Sequence, residues 1–193
     1  MSENTALSTA PTTTSSATTT WNIDPAHSGA EFRVKHMMIS NVRGKFSGIS
    51  GVLHRFEADD TRSALEVSID AGTVNTQDAQ RDGHLKSADF LNVEKFPAMT
   101  FKSTHIEQKG SGFAVAGDLT IRGVTRPVIL NVEEVSEPAK DPWGNTRIGI
   151  TAAAKINRKD FGLTWNTALE TGGVLVGEEV AITLDVQFIK AAN

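Results

Sequence analysis

The chain has 193 residues, 39% hydrophobic and 22% charged, with a net charge of −4 and no cysteine. That length and composition predict one globular domain rather than a disordered chain. The lack of cysteine excludes disulfides, thiol catalysis, Cys-ligated zinc and iron–sulfur clusters. Its 19 basic and 23 acidic residues are interspersed, so no global charge imbalance marks a nucleic-acid partner. No apolar run reaches the roughly 18–20 residues of a spanning helix, so the chain is not expected to be membrane-embedded.

Residues 1–20, MSENTALSTAPTTTSSATTT, are almost all Ser, Thr and Ala. They carry too little apolar surface to offset the entropy of ordering, which predicts a disordered tail and one folded domain over 21–193. The tail has neither the basic start nor the apolar stretch of roughly 7–15 residues that an export signal needs, so a cytoplasmic location is expected.

From Trp21 onward the dominant period is two. Over 28–38, Phe32, Val34, His36 and Met38 fall on one face, and Glu31, Arg33 and Lys35 on the other. That is a strand with one buried and one wet face. A second strand is expected across 44–56, including Phe46. Leu65, Val67 and Ile69 form the next apolar set, and 99–106, including Phe101, the one after. Phe113, Val115, Gly117, Leu119 and Ile121 follow, then Val128, Leu130 and Val132, then Ile148, Ile150, Ala152, Ala154 and Ile156. The last set runs from Val180 to Phe188. About eight strands result. Gly110-Ser111-Gly112, Arg122-Gly123 and Asp141 to Asn145 supply turn chemistry between them. A short helix is expected over 77–82, capped near Asn75 and Asp78 and ended by Gly83, with another turn at 87–91.

Long one-faced strands joined by short turns are antiparallel, because parallel pairing needs long crossovers. Glycines inside the strands allow the coiling that closure requires, so the expected fold is all-β: an eight-stranded antiparallel up-and-down β-barrel with a short helical insertion. The interior of such a barrel is either filled by its side chains or holds one ligand, and periodicity leaves both open.

Trp21-Asn22-Ile23-Asp24 with His27-Ser28, Phe32 to His36, Gly44-Lys45-Phe46, Arg81 with His84-Leu85, Phe96-Pro97, Gly117 to Val128 and Ile156 to Leu163 together resemble the YceI-like family, in order over nearly all of 21–190. The resemblance implies a lipocalin-like barrel whose interior binds a long isoprenoid or a similar amphiphilic lipid. It also implies that many relatives are periplasmic and bacterial, and it admits a homodimer.

On this basis the expected ligand-binding set is Phe32, Val34, His36, Met38, Phe46, Phe101, Leu119, Ile121, Ile150, Ala152, Arg158 and Phe161. His36, on the apolar parity, either caps a ligand head or is a bonded core histidine. Arg158 either grips a diphosphate or anchors its turn. Asp24 and His27 are read as holding the N-terminal turn, and His84 with Arg81 and Lys86 as a solvated face or an anion contact at a mouth. The five histidines lack metal-ligand spacing, and there is no nucleophile elbow, phosphate loop or carboxylate pair. No catalytic residue, metal or cofactor is nominated. The reading is a non-catalytic lipid carrier, with an enzyme acting at the mouth or a filled-barrel interaction module as alternatives.

Overall fold

Alternating wet and apolar side chains become strands when the apolar face finds a shared interior. In the computed structural model, which describes residues 17–170 and 172–192, they do so in eleven segments. These are β1 (Thr18–Ile23), β2 (Gly29–His36), β3 (Ser40–Phe46), β4 (Ile49–Phe56), β5 (Ala64–Asp70), β6 (Ala98–Lys109), β7 (Gly112–Ile121), β8 (Val124–Val135), β9 (Ala139–Lys140), β10 (Thr146–Asn157) and β11 (Val176–Lys190). One α-helix, α1 (Ala79–Lys86), lies in the insertion between β5 and β6.

Eleven segments make an eight-stranded closed barrel because two of its strands are interrupted. β1 and β2 lie end to end along one edge of β11, pairing Ile23 with Phe188 and Ala30 with Leu184. β4 and β3 follow them on the next position, and β5, β6, β7, β8 and β10 continue antiparallel until β10 closes on the other edge of β11. β9 is a short addition to the edge of β10. The single strand expected over 44–56 is thus broken at Ser47-Gly48, where the Gly48 amide leaves the ladder and donates to Thr73 Oγ1 at 3.1 Å.

The tail expected over 1–20 falls mainly at 1–16, outside the described residues. Its last three residues are part of β1: Thr18, Thr19 and Thr20 pair with Phe56, Arg55 and His54. The strand expected over 28–38 stops at His36, because Met37 and Met38 both turn to positive φ. The helix expected over 77–82 is present but shifted to Ala79–Lys86: Asp78 is its N-cap, accepting from the Arg81 amide at 3.0 Å, and Gly83 lies inside it rather than ending it. The β7–β8 connection has positive φ at both Arg122 and Gly123, the backbone of a type I′ hairpin turn.

The two barrel ends are built differently. One carries the β2–β3 hairpin, the α1 insertion and residues 158–170, and is plugged by Ala71, Val74, Phe90, Leu91, Met99, Ile121, Phe161 and Leu163. At the other, Trp21 packs with Leu53, Ile148 and Phe188, and its indole N–H donates to Thr19 Oγ1 at 2.9 Å. Outside, strand neighbours carry ion pairs such as Lys102–Glu66 at 2.6 Å and Lys155–Glu179 at 3.0 Å. A lipid-facing barrel would show an apolar band there instead. No described helix is long and apolar enough to cross a membrane.

The break between β1 and β2 is held by a polar clamp. The buried Asp24 carboxylate accepts from the Ala26 amide at 3.0 Å and from His27 Nδ1 at 2.9 Å, and pairs with Arg147 at the start of β10. Arg147 Nε also donates to Asp141 at 2.7 Å. The Arg147 guanidinium, aided by His27, pulls the Asp24 carboxyl down from 3.8 to about 2. A carboxylate with a depressed native pKa stabilises the fold above its unfolded pKa and loses that contribution as it protonates. Thermal stability should therefore decline as pH falls from about 4 to about 2, and Asp24→Asn should flatten that part of the profile in melts recorded across the window.

Candidate functional site

The inward faces of the strands enclose a cavity of about 290 Å³. Its wall is almost wholly apolar, and the polar residues in its lining are Glu31, Arg55, Asp60, Ser63 and Arg158. Val67, Leu119, Ile150, Ile182 and Leu184 point inward from the middle of their strands, yet each keeps part of its surface accessible. In a filled barrel those positions would be sealed by opposite side chains. The interior is hollow.

Two glycines help to keep it so. Gly44 of β3 lies opposite Phe32 of β2, and a Cβ built at Gly44 would sit 2.4 Å from the Phe32 ring. Gly117 of β7, opposite Ser103 and so diagonal to Phe101, plays the same part: a Cβ built there would sit 2.4 Å from the Phe101 ring. Each missing side chain lets an aromatic ring lie against the barrel wall instead of projecting across the lumen. Phe32 then meets Phe46 with ring centroids 5.6 Å apart.

Ten of the twelve expected residues line this cavity: Phe32, Val34, Phe46, Phe101, Leu119, Ile121, Ile150, Ala152, Arg158 and Phe161. Two do not. Met38 is at the tip of the β2–β3 hairpin, 62% exposed, because its strand ends before it. His36 shares the parity of Phe32 and Val34 but lies one step beyond the wall. It is half-buried and borders a separate polar cleft with Ser40, Asn41, Arg43, Gln77 and Arg81.

Arg158 is 4% exposed and its guanidinium is bound to the main chain. Nε donates to the Gly177 carbonyl at 2.8 Å, one terminal nitrogen to the carbonyls of Leu163 and Trp165, and the other to that of Val176 at 3.3 Å. Burial lowers its pKa from the usual guanidinium value. Of the two roles open for Arg158, the geometry displays the anchor: it ties the residues after β10 to the start of β11.

Other features of the site had no periodic signal in the sequence. Residues 71–97 cover one end of the barrel with Val74, Leu85, Phe90 and Leu91. His84, edge-on to Phe90 and Trp165 with centroids 5.0 and 4.6 Å away, bonds Asp89 at 2.9 Å and so belongs to this plug. At the opposite end Arg55 grips Asp60 with bonds of 2.7 and 3.1 Å, a bidentate pair in the cavity lining. Among the described residues no three His, Asp or Glu side chains gather as a metal site would need.

The YceI-like domain model matches residues 21–188. The chain belongs to the YceI-like family. A UPF0312 protein of Serratia proteamaculans is 42% identical over 138 residues, covering 72% of this chain and 71% of that protein. Burkholderia cenocepacia BcnA superposes with a TM-score of 0.74 at 22% identity, over 86% of this chain and 98% of its own. A polyisoprenoid binding domain from Saccharophagus degradans, implicated in plant cell wall breakdown, superposes with a TM-score of 0.62 at 16% identity, over 89% and 98%. At those identities both structures speak to the fold.

In this YceI-like barrel the anchoring role of Arg158 has a direct consequence. Arg158→Leu orphans several buried carbonyls at once, and each orphaned group costs roughly 1–3 kcal/mol. Urea unfolding should show a loss of about 3 kcal/mol or more. A loss within about 0.5 kcal/mol, the range of ordinary surface substitutions, would leave Arg158 free for a ligand instead.

Proposed function

We propose that the protein is a non-catalytic carrier or sequestering protein, taking the hydrocarbon of an isoprenoid or similar amphiphilic lipid into the barrel. The observation that carries this reading is the apolar, incompletely filled interior. The fold likeness to a polyisoprenoid binding domain is consistent with it. A cavity of about 290 Å³ lies at the small end of the range for small-molecule sites. An apolar chain is the ligand class such a wall selects, because a polar one would leave its hydrogen-bonding groups unpaired.

Energy supports the assignment without any catalytic group. Burying roughly 500 Å² of ligand hydrocarbon at about 25 cal/mol per Å² contributes on the order of 12 kcal/mol gross. Association and ordering of the chain remove about half or more of it. At most about 6 kcal/mol is left, which corresponds to binding in the tens of micromolar range.

Two substitutions test the interior as the binding site. Leu119→Arg places a charge in the lumen and should abolish uptake of a fluorescent prenyl probe. Leu119→Trp adds volume to a hollow, so it should lower uptake at least tenfold, a difference of about 1.4 kcal/mol, while the thermal transition stays cooperative. Undiminished uptake by a folded Leu119→Trp variant would place the ligand elsewhere.

A further inference from the structure

The β2–β3 hairpin ends in a feature that the barrel does not need. Met37, Met38 and Ile39 form its tip, and they are 39%, 62% and 80% exposed. The Ile39 amide donates to the His36 carbonyl at 3.1 Å, closing a turn whose central residues, Met37 and Met38, have φ of 51° and 58°. Both central positions of such a turn favour Gly, Asn or Asp. Here two long apolar side chains occupy left-handed backbone that they rarely adopt, and they face water. Val174, also exposed, adjoins Leu175, whose carbonyl accepts from the Met37 amide at 2.7 Å.

The outward face of the same hairpin is basic. Arg33 stands directly opposite Arg43, with Lys35 and Lys45 on the same face and Glu31 as its acid. Like charges paired across strands are unfavourable unless something else compensates them. None of these four cations lies within ion-pair distance of a carboxylate among the described residues. The carboxylates at the start of the adjoining β11 are already engaged, Glu178 with Lys159 and Glu179 with Lys155. In a chain of net charge −4, this is a local concentration of unpaired positive charge.

We infer that the β2–β3 hairpin is a docking element for the surface of an anionic phospholipid bilayer. Met37, Met38 and Ile39 enter the interfacial layer, and Arg33, Lys35, Arg43 and Lys45 meet the anionic headgroups. Protruding apolar side chains backed by cations suit an anionic bilayer, which supplies both an apolar layer and a negative surface. The hairpin leads straight into the barrel wall, since Phe32 and Val34 of its first strand line the cavity. Docking there brings the plugged end of the barrel against the membrane.

The test uses the full chain and vesicles without any prenyl lipid, so its outcome is independent of what the barrel binds. Flotation is measured with phosphatidylcholine vesicles and with vesicles of two parts phosphatidylcholine to one part phosphatidylglycerol. The expected result is flotation with the mixed vesicles, little with phosphatidylcholine alone, and release by high salt. Met38→Asp with Ile39→Asp, and separately Arg33→Glu with Arg43→Glu, should each weaken binding about tenfold or more, with unchanged melting curves showing intact folds. No flotation, equal flotation with neutral vesicles, or binding unaffected by both double variants would overturn the proposal. So would a concentration-dependent dimer abolished by the Met38 and Ile39 changes in the absence of vesicle binding, which would assign the patch to a second copy.

Discussion

The structure depends on one strand being paired along both edges. β11 is fifteen residues long and bonds to β10 on one side and to β2 and β1 on the other. Without that double pairing the sheet would be open, with two exposed edges and an apolar face to hide. With it, backbone polar groups are satisfied around the ring and the apolar faces of all the strands converge. The interior then has a volume set by the strand number rather than by how well its side chains fit.

Whether that volume is filled depends on what stands opposite what. The aromatic rings that would otherwise cross the lumen, Phe32 and Phe101, lie against Gly44 and Gly117, the first directly opposite and the second diagonal, so they run along the wall. Between the plug of Phe90, Leu91, Phe161 and Leu163 and the Trp21 cluster, smaller or flatter packing leaves a hollow. Polar groups in its lining are held by partners, as Arg55 is by Asp60 and Arg158 by main-chain carbonyls. The result is an apolar space in a protein whose outer surface is charged.

The barrel was legible in the sequence because burial on one face of a strand writes period two into the chain. The register of Ile148 to Ile156 against Val180 to Phe188 follows that parity throughout. Parity fails where a strand ends: His36 and Met38 continue the pattern on paper, but the chain turns at Met37, a turn that no Gly or Asn announces. Residues 71–97 carry no strand parity, so their role as a plug was invisible. The hollow itself was equally hidden. Alternation tells which way a side chain faces, while the pairing of Phe32 with Gly44 or Phe101 with the neighbourhood of Gly117 emerges only from the three-dimensional register.

The central claim is that the apolar hollow is a lipid site, and the most direct measurement is native mass spectrometry of freshly purified protein with solvent extraction of its bound material. The account predicts a stoichiometric apolar adduct, or, if the protein is isolated empty, one-to-one uptake of an added prenyl lipid. An apo mass that stays unchanged in the presence of prenyl and other long-chain lipids would contradict it.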